Sequence, residues 1–332
     1  MTKKLNYNSL RLLISNTLFR GGKNVFQIFL NIFLWKETGD IQIIALFNIF
    51  FFIAHYVGII LNSFFVKYGY RRIIHFLSFF GLIISYLFII FLGEQVINNI
   101  YIVGIIFGFF NGSYYMNYNI NQFDLTTFKN RGNFEGIKKS LKIISKMFYP
   151  ALFGTIISFY NINIAFVVGI FLFISAYFVG DVKFDYSKGK TKYVKFFKIL
   201  KDNKKIVFSI LGTFFFTLAF SIPLIELIIP ILIYNEVGTE LKLGFSLSFL
   251  SVISIAIMYL FGKMIDYKHY NNSLIVLTIL YIFALLGLVL LDNYSILLGL
   301  SGLIIALISL YGICTSVITN NSLHSIKNFN EY

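Results

Sequence analysis

Long apolar stretches separated by short polar connectors make up most of the sequence. Runs of about 18 or more apolar residues have the length that a helix needs to cross the hydrocarbon core of a membrane. Since lipid offers no hydrogen-bond partner to an exposed backbone, we expect these stretches to be helical. The pattern predicts ten membrane spans, at residues 9–35, 41–66, 73–93, 98–121, 137–159, 162–180, 206–234, 243–265, 272–291 and 295–319.

The composition agrees with a membrane protein and excludes several other classes. Of the 332 residues, 58% are hydrophobic and only 13% are charged, which is too apolar for a soluble domain. The single cysteine, Cys314, gives no disulfide framework, and the sequence has no Cys/His spacing typical of a metal site. It also has no phosphate loop, GxSxG or HExxH motif, so we expect neither an enzyme nor a cofactor.

The basic residues set the expected orientation. The formal net charge is +14, yet most Lys and Arg residues lie in connectors on one side of the predicted spans. This asymmetry favours a topological role for the charge and argues against nucleic-acid binding. Only Lys36 and Lys242 fall in connectors on the other side. The positive-inside rule therefore predicts a multi-pass protein of the cell (plasma) membrane with both termini in the cytoplasm.

The predicted spans divide into six and four around a basic linker. The sequence predicts an N-terminal bundle at residues 1–181, a cytoplasmic linker at 182–205 and a C-terminal bundle at 206–332. A short repeat relates the two bundles: "FLWKETGD" from Phe33 resembles "LIYNEVGT" from Leu232, about 200 residues later. Because six helices separate the two copies, we expect both to have the same orientation across the membrane.

Two connectors add a family resemblance. The loop after the second span, "NSFFVKYGYRR", is similar to the loop motif of the major facilitator superfamily, although Asn62 and Val66 stand where that motif has glycine and aspartate. A second similarity is the "DLTTFKNRG" stretch after the fourth span. The resemblance assigns a conformational role to the matching positions, which are Lys67, Gly69, Arg71, Arg72, Asp124 and Arg131 in the first half and Gly262 and Asp266 in the second.

The resemblance implies an all-α polytopic membrane protein with a major-facilitator-like parallel repeat. Such proteins have twelve spans, and this chain ends where the counterpart of the fifth span would begin. We therefore expect a six-helix bundle followed by an incomplete four-helix bundle that lacks the last two helices. Two alternatives stay open: a ten-span drug/metabolite-type transporter with inverted repeats, and a non-transporting scaffold or inactive fragment. The parallel repeat argues against the first of them.

The first span has an unusual polar stripe. At 100° per residue, six polar side chains occupy one face about 100° wide, while apolar residues occupy the opposite face. Exposing two of these side chains, Arg20 and Lys23, to lipid would cost roughly 5–7 kcal/mol, so we expect the stripe to face a wet cavity. Arg20 lies about 13 Å from Arg11 along the helix, near the midplane. The stripe comprises Asn16, Arg20, Lys23, Asn24, Gln27 and Asn31.

Other spans contain polar residues at helical spacing. Candidate substrate-binding residues are His55 in span 2, Asn111, Tyr115 and Tyr118 in span 4, and Lys146 in span 5. Interhelical hydrogen bonding is an equally good interpretation of the asparagines, and packing is the better one for His55 and the tyrosines. Lys138 and Lys142 are better explained as a solvated helix end.

Glu226 is the only acid well inside a predicted span. Two roles compete for it: pairing with Arg20 or Lys23, and transfer of a coupling proton. With one acid against several cations, field focusing in the cavity favours anions. The sequence thus predicts a secondary transporter of a small organic solute, with an anionic substrate as the favoured class. Its expected partners are the lipid bilayer, the small-molecule substrate and a coupling ion such as a proton.

Overall fold

The computed structural model describes residues 5–126, 130–181, 207, 211–212, 227–264, 270–290 and 293–324. The chain divides into two compact units, residues 1–189 and residues 190–332. Within the described residues all regular structure is helical. The predicted linker at 182–205, as well as Glu226 and Asp266, lies outside the described part of the chain.

The first unit begins with one long helical segment in three parts. Helix α1 spans Tyr7–Asn24, a π-helical turn follows at Val25–Phe29, and helix α2 completes the segment at Leu30–Thr38. Asn6 starts it, because its side chain accepts a hydrogen bond from the Ser9 amide at 2.7 Å. The whole predicted first span is therefore helical, with one register change inside it.

Five further helices complete the first unit. They are α3 (Ile41–Lys67), α4 (Arg71–Leu92), α5 (Ile100–Leu125, preceded by a 3₁₀ turn at Gly93–Asn99), α6 (Arg131–Phe159) and α7 (Ile162–Gly180). Asp40 and Asn161 cap the N-termini of α3 and α7 by accepting hydrogen bonds from Gln42 and Ile164 amides. At most of the helix ends, these boundaries agree with the predicted spans to within a few residues.

The second unit contains four described helices. They are α8 (Ile229–Val237), α9 (Glu240–Met264), α10 (Tyr270–Leu290) and α11 (Tyr294–His324). The short sequence repeat has the same local structure in both units. Gly39 ends α2 with φ of 60°, and Gly238 ends α8 with φ of 71°. Each glycine amide donates to a carbonyl four residues earlier at 2.8 Å, which is a left-handed helix cap that disfavours side chains.

Seven helices in the described part of the chain are long and apolar enough to span a membrane. They cover Ile41–Val66, Arg71–Leu92, Gln95–Leu125, Ile162–Gly180, Glu240–Met258, Ser273–Leu290 and Tyr294–Gly312. Three of the ten predicted spans are not among them. The first contains the π turn and two cations, the fifth lies in the lysine-containing helix α6, and most of the seventh lies outside the described residues.

The core of the first unit is aromatic and places α1 against α5. The rings of Phe19 and Tyr114 stack with centroids 3.5 Å apart, and those of Phe26 and Phe107 stack at the same distance. Helix α5 approaches α3 closely as well: a Cβ on Gly108 would lie 2.2 Å from the Phe51 carbonyl oxygen. This contact requires glycine and holds the polar side chains of α3 and α5 next to those of α1.

Candidate functional site: a basic and polar face in the first unit

The polar stripe of α1 and its π turn is partly accessible, whereas the opposite face is packed. Of the four residues predicted on the apolar face, Val25, Phe29 and Ile32 are at most 1% exposed and Leu18 is half-buried. The middle of the stripe is half-buried, and its two ends, Asn16 and Asn31, are fully buried. The half-buried members are Arg20, Lys23, Asn24 and Gln27.

Asn16 fixes Arg20 against α5. The Arg20 Nε donates to Asn16 Oδ1 at 2.9 Å, and Asn16 Nδ2 donates to the Tyr114 hydroxyl at 3.0 Å. Asn16 is only 3% exposed, so both of its bonds form away from water. A buried amide held from both sides orients the guanidinium, because displacing it would leave polar atoms unpaired. The remaining N–H groups of Arg20 are left for other acceptors.

Lys23 and His55 both contact Tyr115. The Lys23 ammonium is 5.3 Å from the centre of the Tyr115 ring, within the range of a cation–π contact. The His55 ring lies edge-on to the same tyrosine at 5.8 Å. His55 Nδ1 also bonds Asn111 Nδ2 at 3.0 Å. The structure thus brings together four residues that the sequence placed in three different spans.

The two cations of the stripe have no carboxylate partner within the described part of the chain. The described ion pairs are Arg71–Asp124, Arg72–Asp181 and Lys138–Glu135. Pairing of Arg20 or Lys23 with Glu226 stays a prediction, since Glu226 lies outside the described residues. Among the described residues of the first unit, the partners of Arg20 and Lys23 are the Asn16 side chain and the Tyr115 ring.

A second polar cluster lies further along α5 and centres on an ion pair of α6. The Lys138 ammonium on α6 bonds Gln122 Oε1 at 2.7 Å and Glu135 Oε1 at 3.1 Å. It also lies 5.7 Å from the centre of the Tyr118 ring. Sequence reasoning assigned Lys138 to a solvated helix end and gave Glu135 no role. Glu135 lies three residues before Lys138 on one helix, and this spacing could have indicated the ion pair from the sequence.

Several buried polar atoms in this region have no hydrogen-bond partner in the structure. Native proteins leave few such atoms, and each one costs about 1–3 kcal/mol unless a water or ligand satisfies it. Six such atoms occur among the described residues, and five of them belong to α1 and α5. Those five are Asn24 Oδ1, Asn111 Oδ1, Asn117 Oδ1, the Tyr118 hydroxyl and Asn121 Oδ1.

The loop motif after α3 is tied to the end of α5. Arg71, at the start of α4, forms an ion pair with Asp124 in the last turn of α5. The loop motif has Val66 at the position where the family has aspartate, and Asp124 supplies a carboxylate to the same loop from another helix. Gly69 has φ of 89°, so the turn requires glycine. Arg72 bonds Asp181 Oδ2 at 3.3 Å, after the end of α7.

The remaining predicted residues are only partly described. Lys146 is half-buried on α6, about two turns beyond Lys138. Gly262 lies within α9. The side chains of Lys67 and Arg131, and all of Asp266, fall outside the described part. Their roles in the conformational loop stay predictions.

Comparison with known proteins decides the family. The model for the Major Facilitator Superfamily matches residues 12–328 of this chain. The chain belongs to the Major Facilitator Superfamily. Together with its apolar helices, membership makes it a multi-pass membrane protein of the transporter class. This membership rules out the alternative of a ten-span drug/metabolite-type transporter.

Two bacterial relatives are similar in sequence. An uncharacterized protein in the sodM 3' region of Geobacillus stearothermophilus is 26% identical over 156 residues, which are 47% of this chain and 73% of that protein. The uncharacterized protein YqgE of Bacillus subtilis (strain 168) is 24% identical over 285 residues, which are 82% of this chain. The match spans 64% of YqgE, less than two thirds of its length.

Two solved structures have a similar fold. A bacterial metal transporter superposes with a TM-score of 0.55, covering 98% of this chain and 83% of that one. An inward-facing bacterial homologue of the iron transporter ferroportin superposes with a TM-score of 0.63, covering 99% and 87%. Both are 12% identical to this chain, so the likeness concerns the fold.

Proposed function

We propose that this superfamily member is a secondary active transporter that moves a small organic anion across the cell membrane by alternating access. One observation carries the proposal: Arg20 and Lys23 are half-buried in an apolar bundle without a carboxylate partner among the described residues. Charges inside a membrane protein are costly and mark substrate or ion pathways. An anionic substrate would supply the missing counter-charge.

The surrounding polar atoms support the same substrate class. Asn16 holds Arg20, and the Tyr115 ring holds Lys23, so both cations are oriented before a ligand arrives. Preorganised donors lower the ordering cost of binding. Of the described α5 atoms without a partner, the tyrosine hydroxyl can donate to an anionic oxygen, whereas the asparagine side-chain oxygens accept hydrogen bonds from hydroxyl or amino groups. A small organic anion that also carries hydroxyl or amino groups supplies both the counter-charge and these donors.

The titles of the two similar structures name metal and iron transport, which is a competing cargo. The described residues contain no group of three or more His, Cys, Asp and Glu side chains able to hold a metal ion. Two cations without a carboxylate partner among the described residues would also repel a divalent metal. The chemistry of this face therefore favours an organic anion over a metal cation.

Uptake into proteoliposomes tests the proposal. The purified protein is reconstituted, and uptake of radiolabelled carboxylates, phosphate esters, amino acids and divalent metals is measured with and without an imposed proton gradient. We expect at least one organic anion to be taken up. Arg20→Gln and Lys23→Gln should each reduce its uptake about tenfold or more, the loss expected for a charge-assisted hydrogen bond.

A matched control comes from α6. Lys139 is exposed, and changing it to Gln removes the same single positive charge. The Lys139→Gln variant should therefore transport the anion normally. Unchanged anion uptake in well-expressed Arg20→Gln and Lys23→Gln variants would overturn the proposal. Selective uptake of a divalent metal would favour the competing cargo, and no uptake of any solute would favour a non-transporting role.

Glu226 fits the proposal as a counter-charge or a proton carrier. If it neutralises Arg20 structurally, exchanging the two residues should restore both folding and transport. If Arg20 binds the substrate, the exchange should restore folding and leave transport inactive. Expression level in membranes and uptake of the identified anion measure the two outcomes separately.

A further inference from the structure

We propose that Lys138 and Tyr118 form a second anion-binding subsite, so that the substrate has two anionic groups. The inference rests on the proposed anion transport and narrows its substrate class to dianions, such as dicarboxylates or carboxylated phosphate esters. In the absence of substrate, the carboxylate of Glu135 occupies this subsite. One anionic group of the substrate binds Arg20 and Lys23, and the other replaces Glu135 at Lys138.

The position of Lys138 carries the first step. Its side chain is 24% exposed and reaches three groups at once: Glu135 at 3.1 Å, Gln122 at 2.7 Å and the Tyr118 ring at 5.7 Å. Gln122 in turn donates from Nε2 to Glu135 Oε1 at 2.6 Å. The ammonium thus has three partners, a carboxylate, an amide oxygen and an aromatic ring, and the carboxylate is the one that an anionic substrate group would replace.

The spacing along α5 links the two subsites. Lys23 lies over Tyr115, and Lys138 lies over Tyr118, three residues further along the same helix. Residues three apart share one helix face and differ by about 4.5 Å along the axis. The two ammonium groups, from α1 and α6, therefore approach one face of α5 at successive turns. Two anionic groups in a single small molecule match this arrangement.

The Tyr118 hydroxyl gives independent evidence for a ligand. Tyr118 is 3% exposed, and its hydroxyl has no hydrogen-bond partner in the structure. The Lys138 ammonium lies 5.7 Å from the centre of the Tyr118 ring. A buried hydroxyl beside a cation is expected to donate to an anionic oxygen. A substrate oxygen at Lys138 would accept that bond and satisfy it.

Glu135 then sets specificity. A monoanion bound at Arg20 and Lys23 leaves the Lys138–Glu135 pair intact, whereas a dianion must displace the Glu135 carboxylate. Removing the Glu135 charge should therefore favour dianions and leave monoanions nearly unaffected. A purely structural ion pair predicts no gain in dianion affinity when the Glu135 charge is removed, because breaking such a pair only destabilises the protein.

Ligand-induced stabilisation of the purified full chain tests the inference. The melting temperature is followed by fluorescence of Trp35, the single tryptophan, in the presence of probes matched as one anionic group against two: butyrate and succinate, valerate and glutarate, and glycerol 3-phosphate and 3-phosphoglycerate. Binding stabilises the folded state according to affinity, so the shift over a concentration series yields an apparent Kd for each probe. The probes differ in carbon-chain length because the distance between the two subsites determines which length can reach both of them.

We expect at least one probe with two anionic groups, here called a dianion, to bind more tightly than its matched probe with one, here called a monoanion. Lys138→Gln should reduce that preference about tenfold. Glu135→Gln should tighten dianion binding and leave the matched monoanion within about twofold. Lys138→Arg, which keeps the charge, should retain the preference, and Lys139→Gln serves as the control for net charge.

Three outcomes would overturn the inference while leaving anion transport standing. The first is equal binding of monoanions and dianions. The second is an equal loss for both classes in Lys138→Gln, and the third is a loss of dianion binding in Glu135→Gln; either of these two indicates a structural ion pair. Failure of every anion to stabilise the wild-type protein would count against the proposed function itself, and the dianion subsite would fall with it.

Discussion

Arg71 forms an ion pair with Asp124, and this pair joins the first turn of α4 to the last turn of α5. The two side chains are 16% and 38% exposed, so water and salt screen their attraction. We expect a double-mutant cycle of Arg71→Gln and Asp124→Asn to give a coupling energy of about 0.2–1 kcal/mol. Thermal unfolding followed by Trp35 fluorescence in detergent measures it.

A neighbouring pair provides the control for this cycle. Arg72 bonds Asp181 at 3.3 Å, but the Arg72 side chain is 69% exposed. Its coupling should be smaller than that of Arg71 with Asp124, and both couplings should shrink as salt rises. A larger coupling for Arg72 with Asp181, or none for Arg71 with Asp124 at low salt, would contradict the ranking by burial.

Gly108 should tolerate no side chain. A Cβ there would lie 2.2 Å from the Phe51 carbonyl oxygen, and backbone cannot move aside as a flexible side chain does. Overpacking of this kind costs typically 1–3 kcal/mol, so Gly108→Ala should lower the melting temperature markedly. Gly136 has open space around its Cβ position, so Gly136→Ala should be neutral or stabilising. Equal melting temperatures for the two variants would show that α3 and α5 are not in close contact.

Tyr86 anchors the segment before the π turn. It is fully buried, and its hydroxyl donates to the Gly22 carbonyl oxygen. Tyr86→Phe keeps the ring packing and should cost about 0.5–1.5 kcal/mol for the lost hydrogen bond. Tyr86→Ala also opens a cavity and should cost about 3–5 kcal/mol. The melting temperatures of the two variants, followed by Trp35, should fall in that order, and a similar small loss for both would argue against tight packing at this position.

The periodic features of the chain were predictable because burial repeats at helical spacing. Helix α7 has the predicted bounds of 162–180, and the apolar face of the first span is buried as expected. The glycine cap of Gly39 was detectable through its likeness to Gly238, since a left-handed cap restricts the residue type. The family resemblance rested on motif residues and is confirmed by the match over residues 12–328.

Features that depend on tertiary contacts were not predictable from the chain alone. The π turn at Val25–Phe29 changes the helical register inside the polar stripe, whereas the projection assumed 100° per residue throughout. Asn31, after this turn, is buried and bonded to Asn48, as Asn16 at the other end of the stripe is buried and bonded to Tyr114. The contact of Lys138 with Gln122 joins two helices, and no local pattern fixes which turns of two helices meet.

The orientation of the chain leads to a labelling prediction. The positive-inside rule places Lys139 in the cytoplasm and Lys36 outside, and both side chains are exposed. Cys314 is the single cysteine and is buried, so a Cys314→Ala background is straightforward to make. In that background, Lys36→Cys in intact cells should react with a membrane-impermeant maleimide, whereas Lys139→Cys should react only after the cells are permeabilised. The wild-type chain, whose one thiol is buried, should stay unlabelled in both conditions until it is unfolded. The reverse pattern, with Lys139→Cys labelled in intact cells, would place the basic side of the bundle outside and contradict the topology on which the cytoplasmic assignment of both termini depends.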